Sequence, residues 1–84
     1  MFMPILVYIL YSKVLDKFYV GHTQNLTDRL FRHNNSGSKS TKNTSDWKVV
    51  HTEEFSDRSA AYNREMDIKK KKSRKYNEGL INQK

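Results

Sequence analysis

Two phenols, two imidazoles, a guanidinium and a carboxylate stand out in this sequence: Tyr8, Tyr19, His22, His33, Arg29 and Glu65. These are groups of proton transfer and charge stabilisation. Phenol and imidazole exchange protons, a guanidinium neutralises developing negative charge, and a carboxylate holds a cation. Arg29 and His33 are four apart and share one helix face. Arg29 follows Leu26 by three and His33 follows Leu30 by three, so that face borders an apolar stripe and points to the inside edge of the fold. Glu65 falls with Ala61 and Ile68 at steps of four and three, on or beside a buried stripe. Burying an unpaired carboxylate costs several kcal/mol, so Glu65 needs a cation: Arg29, Arg64 or a metal ion.

Each of these residues also has a plain packing explanation. Tyr8 and Tyr19 fit as core aromatics whose hydroxyls reach a partner. Their joint spacing to Gly21 and Arg29 is what argues for more. Whether the two phenols share a sheet face depends on register, which the sequence leaves open, since a one-residue slip separates them. Gly21 reads as the end of a strand. Either a turn there needs an unusual backbone angle, or the bare backbone lets a phosphate approach closely. His22, with an ordinary pKa near ~6.5, fits proton transfer and an ordinary surface position equally well.

The elements that must hold these groups can be read in order. Ile5 to Tyr11 and Lys17 to Gly21 are rich in β-branched and aromatic residues and read as a hairpin around a polar turn at Ser12 to Lys17. The first run is apolar almost without alternation, which predicts a central strand buried on both faces. A helix is expected over 25–35, capped by Thr23 or Asn25, with Leu26, Leu30 and Phe31 as its apolar residues. Asn34 to Asp46 holds no apolar residue and is long for a loop, so it is either functional or flexible. A third strand follows over 47–55, with an edge position plausible and His51 structural. A second helix spans 57–72, with Ser56 as N-cap and Asp57 in its first turn. A last helix over 74–82 folds back through Tyr76, Leu80 and Ile81. The fold class is α/β (α+β): a small three-stranded antiparallel sheet flanked by three helices in one domain, 1–84.

The net charge is +7 and the pI about 9.8. Lys69, Lys70, Lys71, Lys72, Arg74 and Lys75 carry six of those charges, so the basic character is one local patch. Such a patch favours a polyanion, nucleic acid first, although a solvated, solubilising helix end has the same composition. Lys39 and Lys42 in the polar stretch add candidate contacts to a sugar-phosphate backbone. With no cysteine there is no disulfide framework and no thiolate metal site, which fits a reducing, cytoplasmic setting. The N-terminal apolar run lacks a basic leader and a cleavage site and is interrupted by Pro4 and two tyrosines, so it reads as a strand. No stretch approaches the ~20 apolar residues of a membrane span.

The order Leu6-Val7-Tyr8, ten residues, Tyr19-Val20-Gly21, then Arg29 eight residues on resembles the GIY-YIG nuclease superfamily. The resemblance covers nearly the whole chain, takes in His33 and places the family's later glutamate at Glu65. It is nearest to small stand-alone bacterial members. Leu6 stands where the family name has glycine, a change a strand tolerates. His22 stands where some members have a lysine that helps activate the nucleophile.

The resemblance implies the same α/β fold and a divalent-metal-dependent endonuclease acting on DNA, in repair or recombination. It implies Glu65 as the ligand of one Mg²⁺ or Mn²⁺ ion, and a single carboxylate with waters and phosphate suits Mg²⁺. Arg29 would neutralise charge at phosphorus, and His33 would contact the phosphate or assist proton transfer. Tyr8 or Tyr19 would orient or deprotonate the water. Tyrosine is a poor base with a reference pKa near ~10, so Arg29, His22 or the metal must lower it, and the sequence does not assign the two roles. With no specificity domain in 84 residues, low sequence specificity is expected, on single-stranded, branched or duplex DNA, by a monomer or weak homodimer. Two other classes fit the composition. One is a non-catalytic nucleic-acid-binding module using Lys69 to Lys75, with steep salt dependence and no turnover. The other is an interaction domain whose basic run meets an acidic partner.

Overall fold

The computed structural model describes residues 4–35, 44–71 and 74–82. Strands β1 (Ile5–Ser12) and β2 (Lys17–Thr23) are followed by helix α1 (Leu26–Asn35), strand β3 (Lys48–Phe55), and helices α2 (Arg58–Lys71) and α3 (Arg74–Asn82). The strands form one antiparallel sheet in the order β2-β1-β3. The continuous apolar run of β1 is therefore central, and the less regular β3 lies at an edge.

Side chains alternate across a strand, so β1 feeds two layers. Ile5, Val7 and Ile9 join Val20, Ala61, Ile68 and Leu80 on the face covered by α2 and α3, with Tyr76 packed alongside. Tyr8 and Leu10 join Trp47 on the other face, where Leu26 and Leu30 of α1 pack with Tyr19. Phe31, expected in the apolar stripe of α1, is instead 65% exposed. One face of a single helix cannot seat 26, 30 and 31 together against a flat sheet.

Asn25 caps α1, its Oδ1 accepting from the Asp28 N–H at 3.0 Å. The cap of α2 is Asp57 and not Ser56: Asp57 Oδ1 accepts from the Ala60 N–H at 2.8 Å. A carboxylate at this position combines the capping bond with the helix dipole.

The hairpin turn is held from a distance. Asp46 accepts from the Ser12 hydroxyl at 2.6 Å and the Val14 N–H at 3.0 Å. Those bonds, Ser12 first, hold its pKa down at about 2. Asp16 adopts φ 53°, a left-handed conformation aspartate tolerates, and receives the Tyr11 hydroxyl at 2.6 Å. Asn34, at the end of α1, both donates to the Trp47 carbonyl (3.0 Å) and accepts from the Trp47 N–H (2.8 Å). Arg64 forks onto Glu53 (2.7 and 3.0 Å) and reaches the Tyr76 hydroxyl (3.1 Å), tying α2 to β3 and α3. His51 is buried in β3 and bonds Glu53 through Nε2 at 2.8 Å. Among the described residues no helix is long and apolar enough to cross a membrane.

Candidate active site

The register places Tyr8 opposite Gly21 and Leu10 opposite Tyr19. Both phenols therefore lie on the α1 face of the sheet, the point the sequence left open. His33 comes down from α1 between them. Its Nε2 is 3.1 Å from the Tyr8 hydroxyl, and its ring lies 4.6 Å from the Tyr19 ring, centroid to centroid. Tyr8 is fully buried, His33 is 5% exposed, and Tyr19 is half-buried. Arg29, one helical turn before His33, places its guanidinium beside the Tyr8 hydroxyl.

Gly21 has a role other than those expected. It does not end β2, which runs on to Thr23. A Cβ at position 21 would sit 2.6 Å from Tyr8 Oη and 2.8 Å from Tyr8 Cζ. The close approach is made by the Tyr8 ring across the strand pair, so the glycine is steric in origin and no special backbone angle is involved.

Burial fixes the protonation of this cluster. The Tyr8 pKa is pushed up to about 12, mainly by desolvation, then by Tyr19. Arg29 pulls the other way through charge and a hydrogen bond and does not win. His33 is pushed below its usual value by burial and then by Arg29. Tyr8 is thus a neutral phenol hydrogen-bonded to a neutral imidazole. Burial raises the Tyr8 pKa and lowers that of His33, so passing the proton between them is uphill and the phenol stays protonated at rest.

Glu65 approaches from the opposite layer. His22 lies opposite Val7, on the α2 face, and its Nδ1 meets Glu65 Oε1 at 2.5 Å. Lys69, one turn along α2, donates to Glu65 Oε2 at 2.5 Å. Glu65 is 7% exposed, and its charge still registers at Tyr8, whose pKa it helps raise. Its cations are therefore Lys69 and, when protonated, His22. The expected Arg64 is spent on Glu53, and Arg29 lies with Tyr8.

Lys69 leaves the expected basic patch for this ion pair. Lys70, Lys71 and Lys75 are exposed, with Lys71 above the Tyr76 ring. Lys39, Lys42 and Lys72 lie outside the described residues, as does the side chain of Arg74.

Beside His22 a groove of about 400 Å³ is lined by Arg58, Ser59, Tyr62 and Asn63 of α2. The sequence reading passed over these four. Arg58 and Tyr62 are four apart, and Tyr62 stands one turn before Glu65, a spacing that could have drawn attention to them.

A family model described as the GIY-YIG catalytic domain matches residues 4–77. A UPF0213 protein of Natronomonas pharaonis is 39% identical over 64 residues, covering 75% of this chain and 74% of that protein. No solved structure gives a significant match. The chain belongs to the GIY-YIG family of nuclease domains.

The family implies a metal ion, and the donor set admits one on restricted terms. Glu65 offers hard oxygen atoms, but both are engaged, and no group of three or more ligating side chains exists among the described residues. What fits is a largely hydrated Mg²⁺ or Mn²⁺ on a single carboxylate. It would take the place of the Lys69 ammonium, whose partly exposed side chain is free to swing outward.

Proposed function

We propose that this protein is a divalent-metal-dependent endonuclease that hydrolyses DNA phosphodiester bonds with little sequence specificity. The observation that carries the reading is the gathering of Tyr8, Tyr19, Arg29 and His33 on the α1 face of the sheet, with the buried Glu65 carboxylate in the opposite layer near enough to act on the Tyr8 proton. A module that only bound a polyanion gains nothing from a buried carboxylate at the binding site.

Hydrolysis needs an oriented water, charge neutralisation at phosphorus and help for the leaving oxygen. An ion held by Glu65 supplies positive charge to the phosphate and the leaving oxygen. Arg29 supplies the fixed charge that the developing phosphorane needs. Tyr19 is the phenol that reaches solvent, so it meets the attacking water. Tyr8 is sealed between Gly21 and His33, so it supports from behind: its hydroxyl holds the His33 ring, against which Tyr19 packs. His33, kept neutral, is the imidazole that fixes the two phenols relative to each other, bonded to the Tyr8 hydroxyl and packed on the Tyr19 ring. His22 anchors Glu65 from below.

One observation favours a second reading. Glu65 is already neutralised by Lys69, as in a site that has given up its metal and kept its affinity for nucleic acid. The test is incubation with single-stranded, duplex and branched DNA in Mg²⁺, Mn²⁺ or chelator, beside a Glu65→Gln variant. Metal-dependent cutting lost in the variant, with DNA binding kept, supports the nuclease. Salt-sensitive binding without cutting in any metal turns the reading to the binding module.

A further inference from the structure

The groove beside His22 has a lining unlike the rest of the site. Tyr62 is 51% exposed, and it packs perpendicular to the His22 ring at 6.2 Å. Arg58 is exposed one turn earlier and has no ion-pair partner among the described residues. Ser59 and Asn63 supply hydrogen-bonding groups on either side. The groove's volume, about 400 Å³, lies within the range of small-ligand sites. His22 forms part of its wall and also holds Glu65, so a single imidazole links the groove to the carboxylate.

We infer that this groove is a subsite for one unpaired nucleotide next to the cleaved phosphodiester, with its base stacked on Tyr62 and its phosphate met by Arg58. The inference rests on the nuclease reading and names the substrate feature which that reading leaves open. Three features select this occupant. An aromatic ring stacks on any base, which suits an enzyme without sequence specificity. The free guanidinium faces a ligand that carries a negative charge. His22, shared between the groove wall and Glu65, puts the occupant beside the reacting phosphate. A base inside a duplex hides its faces in the stack, so the groove selects a single strand, a flap or an extruded base.

The test uses oligonucleotides in chelator, so that binding is read without cutting. Each carries 2-aminopurine, whose fluorescence falls when it stacks on an aromatic ring, in single-stranded or duplex form. The proteins are wild type, Tyr62→Ala, Tyr62→Phe and Arg58→Gln, with melting curves to confirm folding. Wild type and Tyr62→Phe are expected to quench the single strand. Tyr62→Ala should lose the quench and bind single strands about 5- to 100-fold more weakly, with duplex binding unchanged. Arg58→Gln should weaken binding and lower its salt dependence while keeping the quench. Binding and quenching by Tyr62→Ala equal to wild type overturn the subsite and leave the nuclease reading standing. Equal losses on single strands and duplex also overturn it. No DNA binding by wild type overturns the subsite and the nuclease reading together.

Discussion

The Tyr8 ring lies across the bare Cα of Gly21, its partner on the neighbouring strand. The pair explains how a full tyrosine fits in the middle of a three-stranded sheet with its hydroxyl still reaching α1. Gly21→Ala would force its methyl to within 2.6 Å of the Tyr8 hydroxyl and displace the ring from His33. Overpacking of this kind costs about 1–3 kcal/mol, so the melting temperature should fall by several degrees and cleavage should drop sharply. A Gly21→Ala protein with unchanged melting and activity would mean that the Tyr8 ring has somewhere else to go.

On the proposed function, Lys69 and a metal ion would compete for one oxygen of Glu65. Lys69→Met should raise Mn²⁺ affinity, read by electron paramagnetic resonance or calorimetry on the protein without DNA. An ion pair with one partly exposed partner is worth at most about 1 kcal/mol, so the gain should be about two- to fivefold. Unchanged affinity would place the metal elsewhere.

The fold should have a stability plateau limited at both ends by identifiable groups. Asp46 is held at about 2, below its ordinary value of 3.8. Its contribution is complete above pH 3.8 and disappears as the pH falls toward 2. His33 is also depressed, from 6.5, so its share is complete above pH 6.5 and is lost on acidification through its lower folded pKa. Tyr8 is raised from 10.0 to about 12, so its share is complete below pH 10 and is lost as the pH climbs through 12. Melting temperature against pH should show these limbs. Asp46→Asn should flatten the acid end and Tyr8→Phe the alkaline end. On the proposed function cleavage uses neutral His33, so its acid limb should fall below pH 6.5.

Arg64 ties three elements through one guanidinium. Arg64→Met should lose hydrogen bonds to the Glu53 carboxylate, worth about 1.5–3 kcal/mol, and release α3 first. Hydrogen exchange should show faster exchange in α3 than in β1. Uniform acceleration throughout the chain would contradict this.

Local pattern carried much of the architecture. The unbroken apolar run of β1 marked the central strand, and the steps 61, 65 and 68 marked the buried face of α2. The register was not legible, because alternation in β2 fits either slip. It is set by the turn at 13–16, and that turn is fastened by Asp46, some thirty residues away. Gly21 read as a strand end because glycine usually interrupts strands, and only the register reveals the ring it makes room for. The partner of Glu65 was visible in principle, since Lys69 is four residues on. It was absorbed instead into the basic run that follows. Nothing in the spacing of Tyr62 alone distinguishes a half-packed tyrosine from an open platform.

Asn34 and Trp47 bond each other twice, closing the chain on itself between α1 and β3. The chain thus leaves α1 and enters β3 through one fixed doorway. Lengthening a closed excursion costs little, about 0.6 kcal/mol for each doubling. Insertions there would leave Tyr8, His33 and Glu65 where they are. The clamp makes the described body a chassis whose residues keep their places whatever length of chain joins its two ends.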